Sequence, residues 1–394
     1  MAAQERILTP SETEKAQLDD PVDRSGVANG GERESDELPL LSRRRVLETL
    51  AVVVALIVAI YFLFPKLAGL DDTLGMIGNA KPVWVIVAVA FGFATFATYI
   101  ALFRAVVGGD VLPLRWREAY EINMAGFAAT RLFSAAGAGG IVLTYWALRK
   151  AGMERRQSGQ RMVAFISLQY LFYPLALIVC GVLLRTGVLS GKGSVELTIL
   201  PAAIAGAALL VGLAVALVPH DFDRRAARFA SGPRRAAIAS RIASAPATFG
   251  AGIRIALRLV ASVSRGGLAI VGAIGFWAAN IGILWASFKA YGVHVPLGVV
   301  IQGFFIGMAA NLLPISPAGV GAVDAGMIGV FVLFGLPDAS VFAAVLTFRL
   351  IAFWMPIPPG IVAFFQLRGT IQRWREDGLP IERAGGAQPE PAPG

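Results

Sequence analysis

Asp324 and Arg349 are an acid and a base set in apolar surroundings, and Arg131 is a second base in a stretch dense in small residues. Ionisable side chains in membrane-length apolar sequence are costly unless they pair or line a water-filled cavity, so they mark functional sites by default. An arginine grips phosphate through two parallel donors, and half-helix N-termini add positive potential for an anion. Arg131 and Arg349 are therefore candidates for holding a phosphate-bearing head group. Asp324 is either a structural counter-ion or a substrate contact, and the plainer alternative for Arg131 is snorkelling to the cytoplasmic interface. Amides at Gly137, Gly139, Gly140, Gly319 and Gly321 would suit an oxyanion, although glycine equally serves tight turns and close packing.

Other chemistry is sparse. Glu118 and Glu121 would attract a cation at the mouth of a hairpin, but acids at a helix start are ordinary dipole partners, and a capping role is the expectation. Asn123, Gln169, Asn280, Gln302 and Asn311 are amides in apolar segments, where interhelical hydrogen bonds are commoner than ligand contacts. His220 and His294 have no Cys or His at metal spacing, and no phosphate-loop, nucleophile-elbow or dinucleotide fingerprint occurs. The expectation is no catalytic residue, no metal, no cofactor and no enzyme activity. Cys180 stands alone in an apolar run, so an intramolecular disulfide is impossible and packing is its expected use.

The elements that must position these residues are membrane helices. Hydrophobic residues make up 56% of the 394 and charged ones 15%, outside the soluble average. Gly298 to Phe334 is apolar but broken by Pro314, Pro317 and a glycine-rich turn, which disfavours one straight helix. Irregular backbone at membrane depth survives only where protein or water satisfies it, so two half-helices in a re-entrant hairpin are expected. Glu118 to Lys150, with RLFSAAGAGGIV at its centre, is too short for two comfortable spans and reads the same way. Ordinary spans are expected at Val46–Phe64, Pro82–Val107, Met162–Leu184, Leu197–Val218, Gly267–Ala290 and Ala339–Phe365.

Residues 1–42 are polar and acidic and read as a disordered tail, residues 43–368 as the membrane domain, and residues 369–394 as a cytoplasmic tail. Net charge is +9, and its basic residues cluster between apolar runs, which fits orientation and anionic-lipid contact better than nucleic-acid binding. Residues 219–265 are strongly basic, and helical spacing of Ile253, Ala256, Leu257, Val260 and Ala261 beside Arg254, Arg258 and Arg265 suggests an amphipathic helix on anionic lipid. A solvated loop serving topology is the competing expectation. With basic clusters on one side, both termini are expected to be cytoplasmic. The fold class is then all-α polytopic, with about six full spans and two re-entrant hairpins. Span, hairpin, span occurs twice in opposite orientation, as in inverted-repeat transporters with a midplane site.

From Asn311 to Gly360 the sequence resembles the lysylphosphatidylglycerol synthase transmembrane-domain family of flippase-like membrane proteins. The resemblance rests on Asn311, Pro314, Ser316, Pro317, Gly319, Gly321 and Asp324, followed by Arg349 and the run Phe353 to Pro359. Ala318 and Asp324 depart from it, since Gly and Glu often stand there. The first hairpin, with Arg131, Ser134, Gly137, Gly139 and Gly140, matches less well. The resemblance implies a substrate site at Arg131, Asn311, Pro314, Ser316, Gly319, Gly321, Asp324 and Arg349. It also implies a stand-alone membrane part without the soluble aminoacyl-lipid synthase domain. The expected activity is movement of a phospholipid or lipid-linked head group between leaflets of the cell inner membrane. A carrier of a small soluble solute and a membrane-embedded lipid transferase are the alternatives, and homo-oligomerisation is left open.

Overall fold

The computed structural model describes residues 78–108, 112–132, 139–191, 193–217, 233–310 and 321–382, with backbone alone at 233–244, 263 and 265. The expected first span, the N-terminal tail, residues 383–394 and the tips of both broken segments lie outside the described residues, whereas residues 369–377, expected in the C-terminal tail, continue the last helix. Among these residues every regular element is a helix. They are α1 (Pro82–Phe103), α2 (Trp116–Leu132), α3 (Gly139–Lys150), α4 (Arg155–Arg185), α5 (Val195–Ala216), α6 (Pro233–Ala261), α7 (Val263–Ala290), α8 (Leu297–Ala309), α9 (Ala322–Leu333), α10 (Asp338–Arg349) and α11 (Ile357–Asp377). A π-helical turn, Arg104–Gly108, ends α1, and another, Leu350–Trp354, joins α10 towards α11.

Length separates two kinds of helix. Among the described residues five apolar stretches are long enough to cross a bilayer: 82–108, 155–185, 195–216, 266–290 and 338–377. Each lies at one of the expected positions. Their outward faces carry exposed Val83, Ile86, Phe93, Leu200, Ile204, Leu210, Val211, Val271 and Ile274, apolar surface that only lipid would cover favourably. The protein is thus an all-α, multi-pass membrane protein. The paired helices α2 and α3, with 17 and 12 residues, and α8 and α9, with 13 and 12, are shorter. At 1.5 Å per residue they rise about 18–26 Å, short of a hydrocarbon core near 30 Å.

Each short pair packs on itself through glycine. A Cβ on Gly140 of α3 would lie 2.5 Å from the Gly126 carbonyl of α2, and one on Gly326 of α9 would lie 3.1 Å from the Gly307 carbonyl of α8. Two apolar cores follow the two pairs. One gathers Ile122, Ala125, Leu143 and Ala147 of α2 and α3 with Leu102, Phe103 and Phe165 of α1 and α4. The other gathers Val300, Phe304, Met327 and Phe331 of α8 and α9 with Ile283, Phe288, Val341 and Phe348 of α7 and α10.

A proline inside a helix removes a backbone donor, and at Pro201 another helix supplies the replacement. Pro201 in α5 leaves the Leu197 carbonyl without its intrahelical partner, and Gln302 Nε2 of α8 donates to it at 3.0 Å. Trp277 of α7 donates to the Gln169 carbonyl at 2.6 Å, a separate link between α7 and α4. The amides behave unequally: Gln302 links two helices, whereas Asn123 and Asn280 bond carbonyls of their own helices, at Ala119 and Phe276. Asn311 lies outside the described residues. Cys180 is a buried free thiol, as expected for packing.

Candidate functional site

The site forms where α2, α9 and α10 meet. Asp324 is the third residue of α9, and its Oδ2 accepts the Gly321 N–H at 2.9 Å, closing the helix start. Gly321 has φ +85°, a left-handed conformation that side chains disfavour, so this turn requires glycine. The other carboxylate oxygen, Oδ1, lies 2.6 Å from Arg349 Nε at the end of α10. Oδ1 accepts no aligned hydrogen bond, so charge attraction holds this pair. The two side chains are only 14% and 9% exposed, so neither is tolerable without compensation.

Arg131 ends α2 in the other hairpin. Its guanidinium does not run outward along its helix; it bridges to the segment after α10, where Nη2 donates to the Ala352 carbonyl at 3.2 Å. That carbonyl belongs to the π-helical turn, whose wider hydrogen-bond register alters the ordinary helical pairing. Nη1 donates to Phe127 one turn back at 3.3 Å, and Nε is buried without an acceptor among the described residues.

Phe353 joins the two arginines. The Arg349 guanidinium lies 4.7 Å from its ring centroid and that of Arg131 lies 5.1 Å away, and Arg131 also lies 4.9 Å from Phe127. Both distances to Phe353 fall within cation–π reach, so an aromatic face holds two like charges near one another. Tyr99 of α1 packs on Phe127 at 4.6 Å, which ties the cluster to a full span. Neither stretch of sequence between the paired short helices, 133–138 or 311–320, contains an ionisable side chain.

Of the expected site residues, Arg131, Asp324 and Arg349 converge, and Gly321 sets the turn that orients Asp324. Asn311, Pro314, Ser316 and Gly319 lie outside the described residues. Sequence reasoning missed Phe127, Phe353 as a shared ring, and the Ala352 carbonyl. A signal existed for the rings, since Phe127 and Arg131, like Arg349 and Phe353, are four residues apart on helical segments and so share a face. Nothing in sequence marked the π-helical turn.

Glu118 and Glu121 belong to a separate network at the start of α2. Glu118 accepts the Arg115 N–H at 2.8 Å, the expected cap, and also Trp374 Nε1 of α11 at 3.0 Å. Glu121, fully buried, takes Arg117 Nε at 2.9 Å and the Thr370 hydroxyl at 2.6 Å, so it fastens α2 to α11. Among the described residues no group of His, Cys, Asp and Glu has metal-ligand geometry.

Comparison with known proteins agrees with this architecture. Parts of the chain are similar to proteins named UPF0104 membrane protein from Methanothermobacter thermautotrophicus. One match is 33% identical over 79 residues, covering 20% of this chain and 24% of the relative. Another is 32% identical over 87 residues, covering 22% and 26%. The chain thus matches about a quarter of the length of these relatives. The sequence profile of the lysylphosphatidylglycerol synthase TM region matches residues 44–360, which contain both hairpins and every residue of the arginine cluster. With most of its length matched, the chain belongs to the lysylphosphatidylglycerol synthase TM region family.

Proposed function

We propose that this protein carries a phospholipid or lipid-linked head group between the leaflets of the cell inner membrane, without enzymatic activity of its own. The observation that carries the reading is the meeting of Arg131 from one short-helix pair with Asp324 and Arg349 from the other side of the chain around Phe353. Charged groups buried between discontinuous helices are how carriers hold an anionic head group within a bilayer. In this reading both pairs are re-entrant, enter from opposite faces as an inverted repeat, and leave the termini cytoplasmic. Rocking of one repeat against the other exposes the arginines to each leaflet in turn.

The basic 219–265 segment contacts anionic lipid in the same reading. On α6, Ala247, Ala251 and Ala256 are buried while Phe249, Leu257 and Arg258 are exposed, a division suited to an interfacial helix. Arg254 is occupied differently, donating to the Ala216 carbonyl at 2.8 Å and so closing the end of α5.

Reconstitution into vesicles with fluorescent lipids of varied head group tests the proposal. Leaflet exchange above protein-free vesicles, lost in Arg131→Ala, is the expected result. Exchange no faster than in empty vesicles for every phospholipid and lipid-linked substrate tried would refute it. Uptake of a soluble solute, or turnover of a lipid by the purified protein, would replace it with a solute carrier or a transferase.

A further inference from the structure

The arginine cluster has a countable charge. Among the described residues Arg131 and Arg349 contribute two positive charges and Asp324 one negative charge, and residues 133–138 and 311–320 contain no ionisable side chain. Glu121, the nearest acid along α2, is ten residues away from Arg131, about 15 Å of helix rise, and is engaged by Arg117 and Thr370. Asp324 neutralises Arg349 by direct contact. Among the described residues Arg131 is held only by neutral groups, namely the Phe127 and Ala352 carbonyls and two aromatic faces, and these leave its charge uncompensated. Its buried Nε–H, without an acceptor among the described residues, is a donor in the place an anion would fill.

We propose that Asp324 sets the valence of the ligand: the cluster takes a head-group phosphodiester bearing one negative charge and rejects a phosphomonoester dianion. This rests on the lipid-transport reading above. A phosphodiester brings the buried charge to zero. A dianion leaves a net negative charge beside the Asp324 carboxylate, and in a low-dielectric site both the excess charge and the like-charge repulsion are costly. Arg131 supplies the phosphate contact, and Asp324 acts on selectivity by occupying Arg349.

The test is a binding measurement on the purified full chain in detergent, by native mass spectrometry, with phosphatidylglycerol as the diester and phosphatidic acid at pH 8 as the monoester. Wild type is expected to prefer phosphatidylglycerol by about tenfold, and Asp324→Asn, which adds one uncompensated charge, is expected to shift the preference by about tenfold towards phosphatidic acid. A ratio unchanged in folded Asp324→Asn overturns the proposal. Should that variant fail to fold, Arg131→Gln and the neutral pair Asp324→Asn/Arg349→Gln supply the measurement. The first makes the cluster neutral and should bind phosphatidylglycerol about tenfold more weakly, and the second keeps one net positive charge on Arg131 and should retain the wild-type preference. Loss of that preference in the folded double variant counts against charge as the selecting property. Competition by water-soluble glycerophosphoglycerol at concentrations matching the lipid would leave the valence assignment standing and remove the lipid-transport reading, so the two fail separately.

Discussion

Asp324 and Arg349 satisfy one another in a setting where each alone would be an uncompensated buried charge. Asp324→Ala and Arg349→Ala should each destabilise by about 3–5 kcal/mol, because removing one partner strands the other. The neutral pair Asp324→Asn with Arg349→Gln should recover most of that loss in thermal melts. A double variant as unstable as either single would show that the ion pair does not dominate these side chains' contribution. Arg131 differs, since its partners are carbonyls and rings. Arg131→Lys keeps the charge but loses the planar fork that stacks on Phe127 and Phe353, so stability should fall by less than about 2 kcal/mol while exchange is largely lost. Exchange at the wild-type rate in Arg131→Lys would mean that a point charge suffices.

At the level of elements, the short helices pair closely through missing side chains, and α8 is tied to α5 through a missing donor. A methyl on Gly140 would lie 2.5 Å from the Gly126 carbonyl and closer still to the Thr130 hydroxyl, so Gly140→Ala must part α2 from α3. Overpacking of this kind costs about 1–3 kcal/mol, visible as a lower melting temperature, and an unchanged melt would place the pair apart in solution. Pro201 and Gln302 make a second test. Gln302→Leu strands the buried Leu197 carbonyl at about 1–3 kcal/mol, and adding Pro201→Ala returns the backbone N–H that this carbonyl lacks. The double variant should therefore be more stable than Gln302→Leu alone; equal stability would mean that this hydrogen bond contributes nothing.

For the whole molecule, the decisive property is the side from which each short-helix pair enters. In the inverted arrangement the outer ends of α2 and α8 face opposite compartments. Single cysteines at Arg117 and at Leu297, both exposed, introduced with Cys180→Ser, should label with an impermeant maleimide from opposite membrane faces. Labelling of both from one face would rule out inversion and leave the two pairs parallel. The Glu118–Trp374 and Glu121–Thr370 contacts bear on the same scale, since they fasten the start of α2 to the last helix and make that end of the first pair move with α11.

What the sequence by itself determined was the class and the punctuation. Long apolar runs dictated spans because a bilayer core demands about 20 apolar residues, and the described helices begin and end within a few residues of those runs except where α4 and α11 continue beyond them. Gly and Pro dictated where the chain is broken, and Asp324, Arg131 and Arg349 stood out because charge is expensive in such surroundings. Only the tertiary structure decided who meets whom. Residues as distant in sequence as Arg131 and Ala352 are joined by a carbonyl in a π-helical turn, a change of hydrogen-bond register that leaves no compositional mark. Glu118 and Glu121 read locally as ordinary acids at a helix start, and the contacts that define Glu121 come from α11, folded back from the far end of the chain. Local sequence carries helix length and breaks because these depend on neighbouring residues, whereas pairing of buried charges depends on where whole helices pack.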